Sequence, residues 1–268
     1  MGLADVHAHL THPRLAAEIE SVVARACAAG VTTIVANGLN RADNRAVARL
    51  ATRYPQVRAA FGLYPVDAVL AELRALGHDY PRDDQELASA EDALSWLREH
   101  AGEAVAIGEI GLDGHWVPAP LWPRQERIFR ACLEIALEAG KPVIVHSRRR
   151  ERRTLELLEE VGATRVLWHC FGGKLALARQ IAERGHVFSI PANARRAESF
   201  TRMLQTLPRT QLLLETDCPY LAPDPGGTSE PAHVAATADY VAELWSVPRA
   251  EVEERMADTF ACLFGQPP

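Results

Sequence analysis

A chain of 268 residues that is 48% hydrophobic and 24% charged has room for a substantial core, and its composition excludes a disordered segment, a collagen-like repeat and a disulfide-stapled miniprotein. Lys+Arg 29 against Asp+Glu 35 leaves a net charge of -6, which argues against a broad basic face for gripping a nucleic-acid backbone. Any phosphate this chain handles must be attracted by local groups or bound cations.

In chain order, short apolar runs alternate with amphipathic stretches. The runs are Leu3 to Val6, Thr32 to Ala36, Val57 to Phe61, Val105 to Ile107, Pro142 to Val145, Arg165 to Trp168, Val187 to Ile190 and Gln211 to Leu214. After the third run, Asp67 to Asp92 is longer than a usual βα connection. Within it Leu70 to Leu76 reads as helix and His78 to Asp84 as loop, an insertion on the active-site side with no domain boundary. The clearest helix lies between Arg124 and Ala139, where Ile128, Phe129, Cys132, Ile135, Ala136 and Ala139 share a face and Gly140 closes the pattern. Such alternation implies a parallel sheet covered by helices. Eight units in ~250 residues favour an α/β fold of the closed (β/α)8 TIM-barrel type, one domain over residues 1–268. No GxGxxG or GxxxxGK[ST] phosphate loop occurs, which weakens an open nucleotide-binding sheet.

The five cysteines are widely spaced with no CxxC pair, as expected of a reduced, cytoplasmic protein. The first residues lack the basic and apolar regions of a signal peptide, and no run of ~18 apolar residues suggests a membrane span. Nothing in the pattern points to an obligate protein partner.

The chemistry gathers at the ends of the runs. His7 and His9 close the first as Asp5-Val6-His7-Ala8-His9, and residues two apart on a strand point the same way. Glu109, His146, His169 and Asp217 follow the fourth, fifth, sixth and eighth runs. Barrels of this kind carry their sites at the C-terminal ends of the strands. Carboxylates and imidazoles are costly in an apolar barrel mouth unless they are paired or hold a cation. Six ligands exceed one tetrahedral ion and suit two divalent cations. Glu109 is the expected bridge, with His7, His9 and Asp217 on one ion and His146 and His169 on the other. Related barrels bridge their ions with a carboxylated lysine, but the only lysines, Lys141 and Lys174, stand before a strand and near a helix start. Asp217 is the expected general base for an activated water.

With these residues located, the whole chain resembles the TatD family of metal-dependent deoxyribonucleases, within the amidohydrolase superfamily. The matching pieces are DVHAHL (Asp5 to Leu10), GEIGLD (Gly108 to Asp113), PVIVHSR (Pro142 to Arg148), WHCFGG (Trp168 to Gly173) and ETDCPYL (Glu215 to Leu221). The resemblance implies a (β/α)8 fold, divalent Mg, Mn or Zn, and hydrolysis of DNA, often 3′ to 5′. It carries the ligand role onto His7, His9, Glu109, His146, His169 and Asp217. Arg148 matches a phosphate-binding position, and Tyr64, in Gly62-Leu63-Tyr64-Pro65, replaces a family histidine. The glutamine usual in the helix after strand four is here Cys132, and a family R-N-E-P is here Thr228-Ser229-Glu230-Pro231. These departures touch substrate contacts more than metal ligands, so the sequence supports hydrolysis more strongly than it supports DNA as the substrate. The activity the resemblance implies is a 3′-5′ exonuclease-type phosphodiesterase acting on DNA ends. The alternative is a metal-dependent ester or amide hydrolase such as an aminoacyl-tRNA deacylase. The run Arg149 to Arg153 reads as a solvated helix start, and His115-Trp116 as a rim where a base can stack.

Overall fold

The computed structural model describes residues 2–81 and 88–265. All eight apolar runs are strands: β1 (Leu3–Ala8), β2 (Val31–Asn37), β3 (Val57–Phe61), β4 (Ala106–Asp113), β5 (Val143–Arg148), β6 (Val166–Trp168), β7 (Val187–Ile190) and β8 (Leu212–Leu214). Neighbours pair in parallel and in chain order from β1 to β8. The sheet curls until β8 meets β1 again, where Ala8 and Cys218 form a parallel bridge. This is the expected (β/α)8 barrel. Its strands are apolar on both faces, as in Val143-Ile144-Val145, because one side fills the barrel and the other lies under helices.

Helices α1 (Pro13–Ala16) and α2 (Ile19–Ala28) follow β1, and α3 (Arg41–Arg53) follows β2. After β3 come α4 (Leu70–Ala75) and α5 (Ala90–His100). Single helices α6 (Trp122–Glu138), α7 (Glu151–Val161), α8 (Leu175–Ala182) and α9 (Glu198–Thr206) follow β4 to β7, and α10 (Val234–Trp245) and α11 (Arg249–Phe264) complete the ring. The α6 stripe buries Ile128, Phe129, Cys132, Ile135 and Ala136 as read from the sequence, together with Leu133 and Gln125. Past its end Gly140 takes a φ of 64°, open to glycine without steric cost. Trp168, Phe61, Phe129, Phe171 and Phe188 are fully buried around this framework. Each such phenylalanine contributes about 1.5–3 kcal/mol by leaving water.

In the long connection after β3, a 3-10 turn (Asp67–Val69) leads into α4, and the chain then runs without regular structure to Pro81. The rest of the loop read from the sequence, Arg82 to Asp84, lies outside the described residues. Strand β4 is longer than its apolar run, reaching Asp113 rather than Ile107, because Gly108 and Gly111 interrupt the pattern without interrupting the strand. Among the described residues no helix is long and apolar enough to cross a membrane, and the five cysteines are free thiols.

Candidate metal centre

The barrel mouth gathers its polar groups from the ends of five strands. On β1, Asp5 and His7 point to the same side and are fully buried, with His9 just past the strand end. Glu109 comes from β4, His146 from β5, and His169 stands immediately after β6. Beyond β8 the chain continues through Glu215 and Thr216 to Asp217, whose φ of 51° lies in the left-handed region that aspartate tolerates better than most residues. Backbone bonds fix this seam: the Asp217 N–H donates to the His7 carbonyl at 2.9 Å, and the His9 N–H to the Cys218 carbonyl at 2.9 Å. Glycines let β4 sit close to its neighbours. A Cβ on Gly62 would fall 2.4 Å from the Glu109 backbone nitrogen, and one on Gly111 would fall 1.9 Å from the His146 carbonyl oxygen.

The donor atoms form two adjoining cups. In the first, His7 Nε2 and His9 Nε2 are 3.2 Å apart, and they lie 3.8 and 3.3 Å from Asp217 Oδ1. Glu109 Oε2 completes it, 3.4 Å from His7 Nε2 and 3.6 Å from His9 Nε2. Donors held about 2.0–2.2 Å from one cation are separated from each other by roughly these distances. In the second cup, Glu109 Oε1 lies 2.9 Å from His146 Nδ1 and 3.7 Å from His169 Nε2. The two oxygens of one carboxylate thus face different triads, His7–His9–Asp217 and Glu109–His146–His169. Both clusters can coordinate divalent cations, and the donor set fits a pair of them.

Outside the cups, a further ring of acceptors orients the imidazoles. His169 Nδ1 lies 3.1 Å from Glu215 Oε2, which also accepts from the Ser189 hydroxyl at 2.5 Å. His146 Nε2 lies 2.9 Å from Asp113 Oδ2. Asp5 accepts the Thr216 N–H at 2.9 Å and its hydroxyl at 2.5 Å, knitting β1 to the segment after β8. Burial pushes the Asp5 carboxyl up to about 8 against these donors.

Burial opposes charge on every group in the cups, and the neighbours decide the outcome. On Glu109 it is outweighed by hydrogen bonds from His146 and His7, which keep the carboxyl well below its usual range. For Asp217, burial is likewise overcome by the bond from His9. Burial would depress His169, but the Glu215, Asp217 and Glu109 carboxylates push it up to about 10. His9 and His146 are raised against burial by their carboxylate partners. His7, stacked on His169 with ring centroids 3.6 Å apart, is lowered by burial and by the charge of that neighbour. These carboxylates require positive charge beside them, from protons or from cations, so cation uptake here releases protons.

Comparison with known proteins matches this arrangement. The family model described as TatD related DNase covers residues 4–265. The chain belongs to the TatD family. It is 32% identical over 270 residues to the uncharacterized metal-dependent hydrolase YabD of Bacillus subtilis, covering 98% of both chains. It is 33% identical over 253 residues to the 3′-5′ ssDNA/RNA exonuclease TatD of Salmonella typhimurium, covering 90% of each. The crystal structure of the TatD homologue YJJV from Escherichia coli superposes with a TM-score of 0.82 at 26% identity, over 98% of this chain and 97% of that one. With two clusters able to hold divalent ions, this TatD-family member is a metal-dependent hydrolase.

The remaining expected residues lie around the cups of this TatD-family site. Tyr64 stands edge-on to His146, ring centroids 5.1 Å apart, and burial followed by the nearby Glu109 charge raises its hydroxyl well above 10, keeping it a neutral donor. Arg148 is exposed at the end of β5, with no ion pair among the described residues. The arginines after it open α7 as expected, and Arg149 and Arg152 are exposed, but Arg150 and Arg153 are not freely solvated. Arg150 is buried, lies 4.0 Å from the centre of the Trp122 ring and pairs with Glu126, while Arg153 reaches Glu126 at 3.0 Å and Glu160 at 2.9 Å. A groove of ≈ 720 Å³ runs outward from His9 past His12, Asn40, Asp43, Tyr80 and Tyr220. Trp116 and Tyr220, 37% and 49% exposed, stand on loops of this face.

Sequence reasoning passed over Asp113, Glu215 and Gln125. Each lay in or near a motif already singled out. The spacing of four between Glu109 and Asp113 on one strand was the available sign that both face the same way.

Proposed function

We propose that this TatD-family hydrolase cleaves phosphodiester bonds at the ends of nucleic-acid strands, DNA first among them. The observation that carries the reading is the single carboxylate of Glu109, with Oε2 3.4 Å from His7 in one cup and Oε1 2.9 Å from His146 in the other. A carboxylate so placed would be shared by two cations, a donor set that suits in-line displacement at phosphorus. His7, His9 and Asp217 would hold one ion, and His146 and His169 the other. Four imidazoles among six ligands favour Zn²⁺ or Mn²⁺ over Mg²⁺, which prefers oxygen. When bound, the ions supply Lewis acidity that acidifies a water and neutralises charge building on the phosphoryl oxygens.

The chain's own residues do the rest. Asp217 is the most open of the cup carboxylates, with its side chain 16% exposed against 2% for Glu109, and it accepts the proton of the attacking water. The Arg148 guanidinium, exposed beside the mouth, binds a phosphate oxygen bidentately. The neutral hydroxyl of Tyr64, whose ring stands edge-on to His146, donates a hydrogen bond to the substrate. The groove beside His9 accommodates the rest of the strand, and Trp116 and Tyr220 on the rim offer faces to unpaired bases. The Salmonella typhimurium relative is a 3′-5′ ssDNA/RNA exonuclease, which supports the same substrate class.

The test is a substrate panel with Zn²⁺- and Mn²⁺-loaded protein: end-labelled single- and double-stranded DNA, RNA, a small aryl phosphodiester and aminoacyl-tRNA. Release of mononucleotides from 3′ ends is expected. Turnover of aminoacyl esters with every phosphodiester untouched overturns the proposal.

A further inference from the structure

Asp113 belongs to neither cup, yet it touches both the second cup and the rim. It is fully buried at the end of β4. Its Oδ2 lies 2.9 Å from His146 Nε2, on the side of the ring away from Glu109. Its Oδ1 accepts two backbone N–H groups, from His115 and Trp116, each at 2.7 Å. Its own N–H donates to Gln125 Oε1 at 3.2 Å, and Gln125 Nε2 donates to the Pro65 carbonyl at 3.1 Å, so α6 and the segment after β3 hold the aspartate in place.

A carboxylate that already receives two N–H groups can only accept from the imidazole as well. The proton it holds is therefore the one on His146 Nε2, so the nitrogen that gives up its proton to offer a lone pair when a cation binds is Nδ1, which donates to Glu109 in its absence. We infer that Asp113 is a positioning residue: it fixes His146 as the Nε2–H tautomer so that Nδ1 is offered to the second cup, and with its other oxygen it anchors the rim turn carrying Trp116 to the same ring. The inference rests on the reading of Glu109, His146 and His169 as ligands of the second ion. Glu215 braces His169 from the barrel interior in a comparable way, and its other hydrogen bond goes to Ser189, with no rim segment attached. Asp113 is thus the point where the second cup and the substrate-facing surface share an anchor.

Asp113→Asn separates positioning from mere filling. The amide keeps the shape, and its Oδ1 still accepts from His115 and Trp116. Its Nδ2, however, can only donate to His146 Nε2, which forces the ring proton onto Nδ1. Wild type and variant, purified with saturating Zn²⁺, are dialysed against graded EDTA, and zinc per chain is measured by elemental analysis. The first zinc is expected to be retained alike, and the second to leave the variant at a free chelator strength 10–100-fold lower, the usual size of such outer-ligand effects. A ¹⁵N ring spectrum of the zinc-loaded wild type, with His146 assigned by its loss in His146→Gln, is expected to show a proton on Nε2 and none on Nδ1. That spectrum decides alone if the Asn variant does not fold. Two zincs in wild type held equally tightly by Asp113→Asn, or a wild-type His146 protonated on Nδ1, overturns the role of Asp113. A wild type that holds no zinc overturns the ligand reading beneath it as well.

Discussion

The mouth of the barrel and its lower half both bury histidine, with opposite consequences. His169 and His186 lie on either side of Trp168, one next to it in the chain and the other accepting its indole N–H on Nδ1 at 3.1 Å. His186 sits at the foot of β7 among apolar groups, and burial pushes its imidazole down to about 4. His169 is buried too, but carboxylates surround it and push it up to about 10. Burial alone therefore does not decide the state of a histidine; the company it keeps does. The lower half uses a neutral imidazole as a hydrogen-bond acceptor in the core. The mouth concentrates negative charge that only protons or cations can balance, and that imbalance sets apart a surface for chemistry from one for packing.

The comparison breaks first at Asp217. If the mouth serves chemistry, Asp217→Asn lowers kcat about 10²–10⁴-fold on a DNA end while far-UV circular dichroism stays that of wild type. Equal loss of fold and activity would show that the mouth holds the barrel together instead. The lower half answers to pH. Between about 6.5 and 4 the unfolded chain takes up a proton on His186 that the folded chain refuses, so stability falls as pH drops through that window and levels off below it. The expected loss is about 3 kcal/mol. Urea unfolding at several pH values should show it in wild type and not in His186→Gln, with turnover of the variant at neutral pH unchanged. The smallest effect lies at the edge of the mouth, where Arg148→Ala should raise KM about tenfold, or ~1.4 kcal/mol, with kcat nearly constant. A fall in kcat without a change in KM would move Arg148 from binding into the chemical step.

Much of this architecture could be read from the chain. Eight apolar runs between amphipathic helices dictate a barrel, and a polar residue closing each of several such runs has nowhere to go but the mouth. His7, His9, Glu109, His146, His169 and Asp217 converge for that reason. The orienting ring was not legible, because Asp113 and Glu215 are acidic residues beside acidic residues, in GEIGLD and ETDCPYL. Strand periodicity gives the side of the sheet they face, but not which imidazole nitrogen they meet. The arginines after β5 misled in the other direction. A run of charges looks solvated until α6 is known to bring Trp122 and Glu126 against Arg150. Glu230 shows a third kind of concealment. Its carboxylate forms a bidentate pair with Arg25 and caps the turn at His233. Contacts between residues so distant in sequence leave no periodic trace.

The seam where β8 returns to β1 gives the protein a schedule. Asp5 and Thr216, bonded across it, are 211 positions apart, and the first cup draws His7 and His9 from one side of the same seam and Asp217 from the other. On the ribosome, the two histidines emerge about 200 positions ahead of Asp217. Only after β8 and the segment beyond it leave the exit tunnel can the third side chain join them, so the first cup stays open through the synthesis of every strand between.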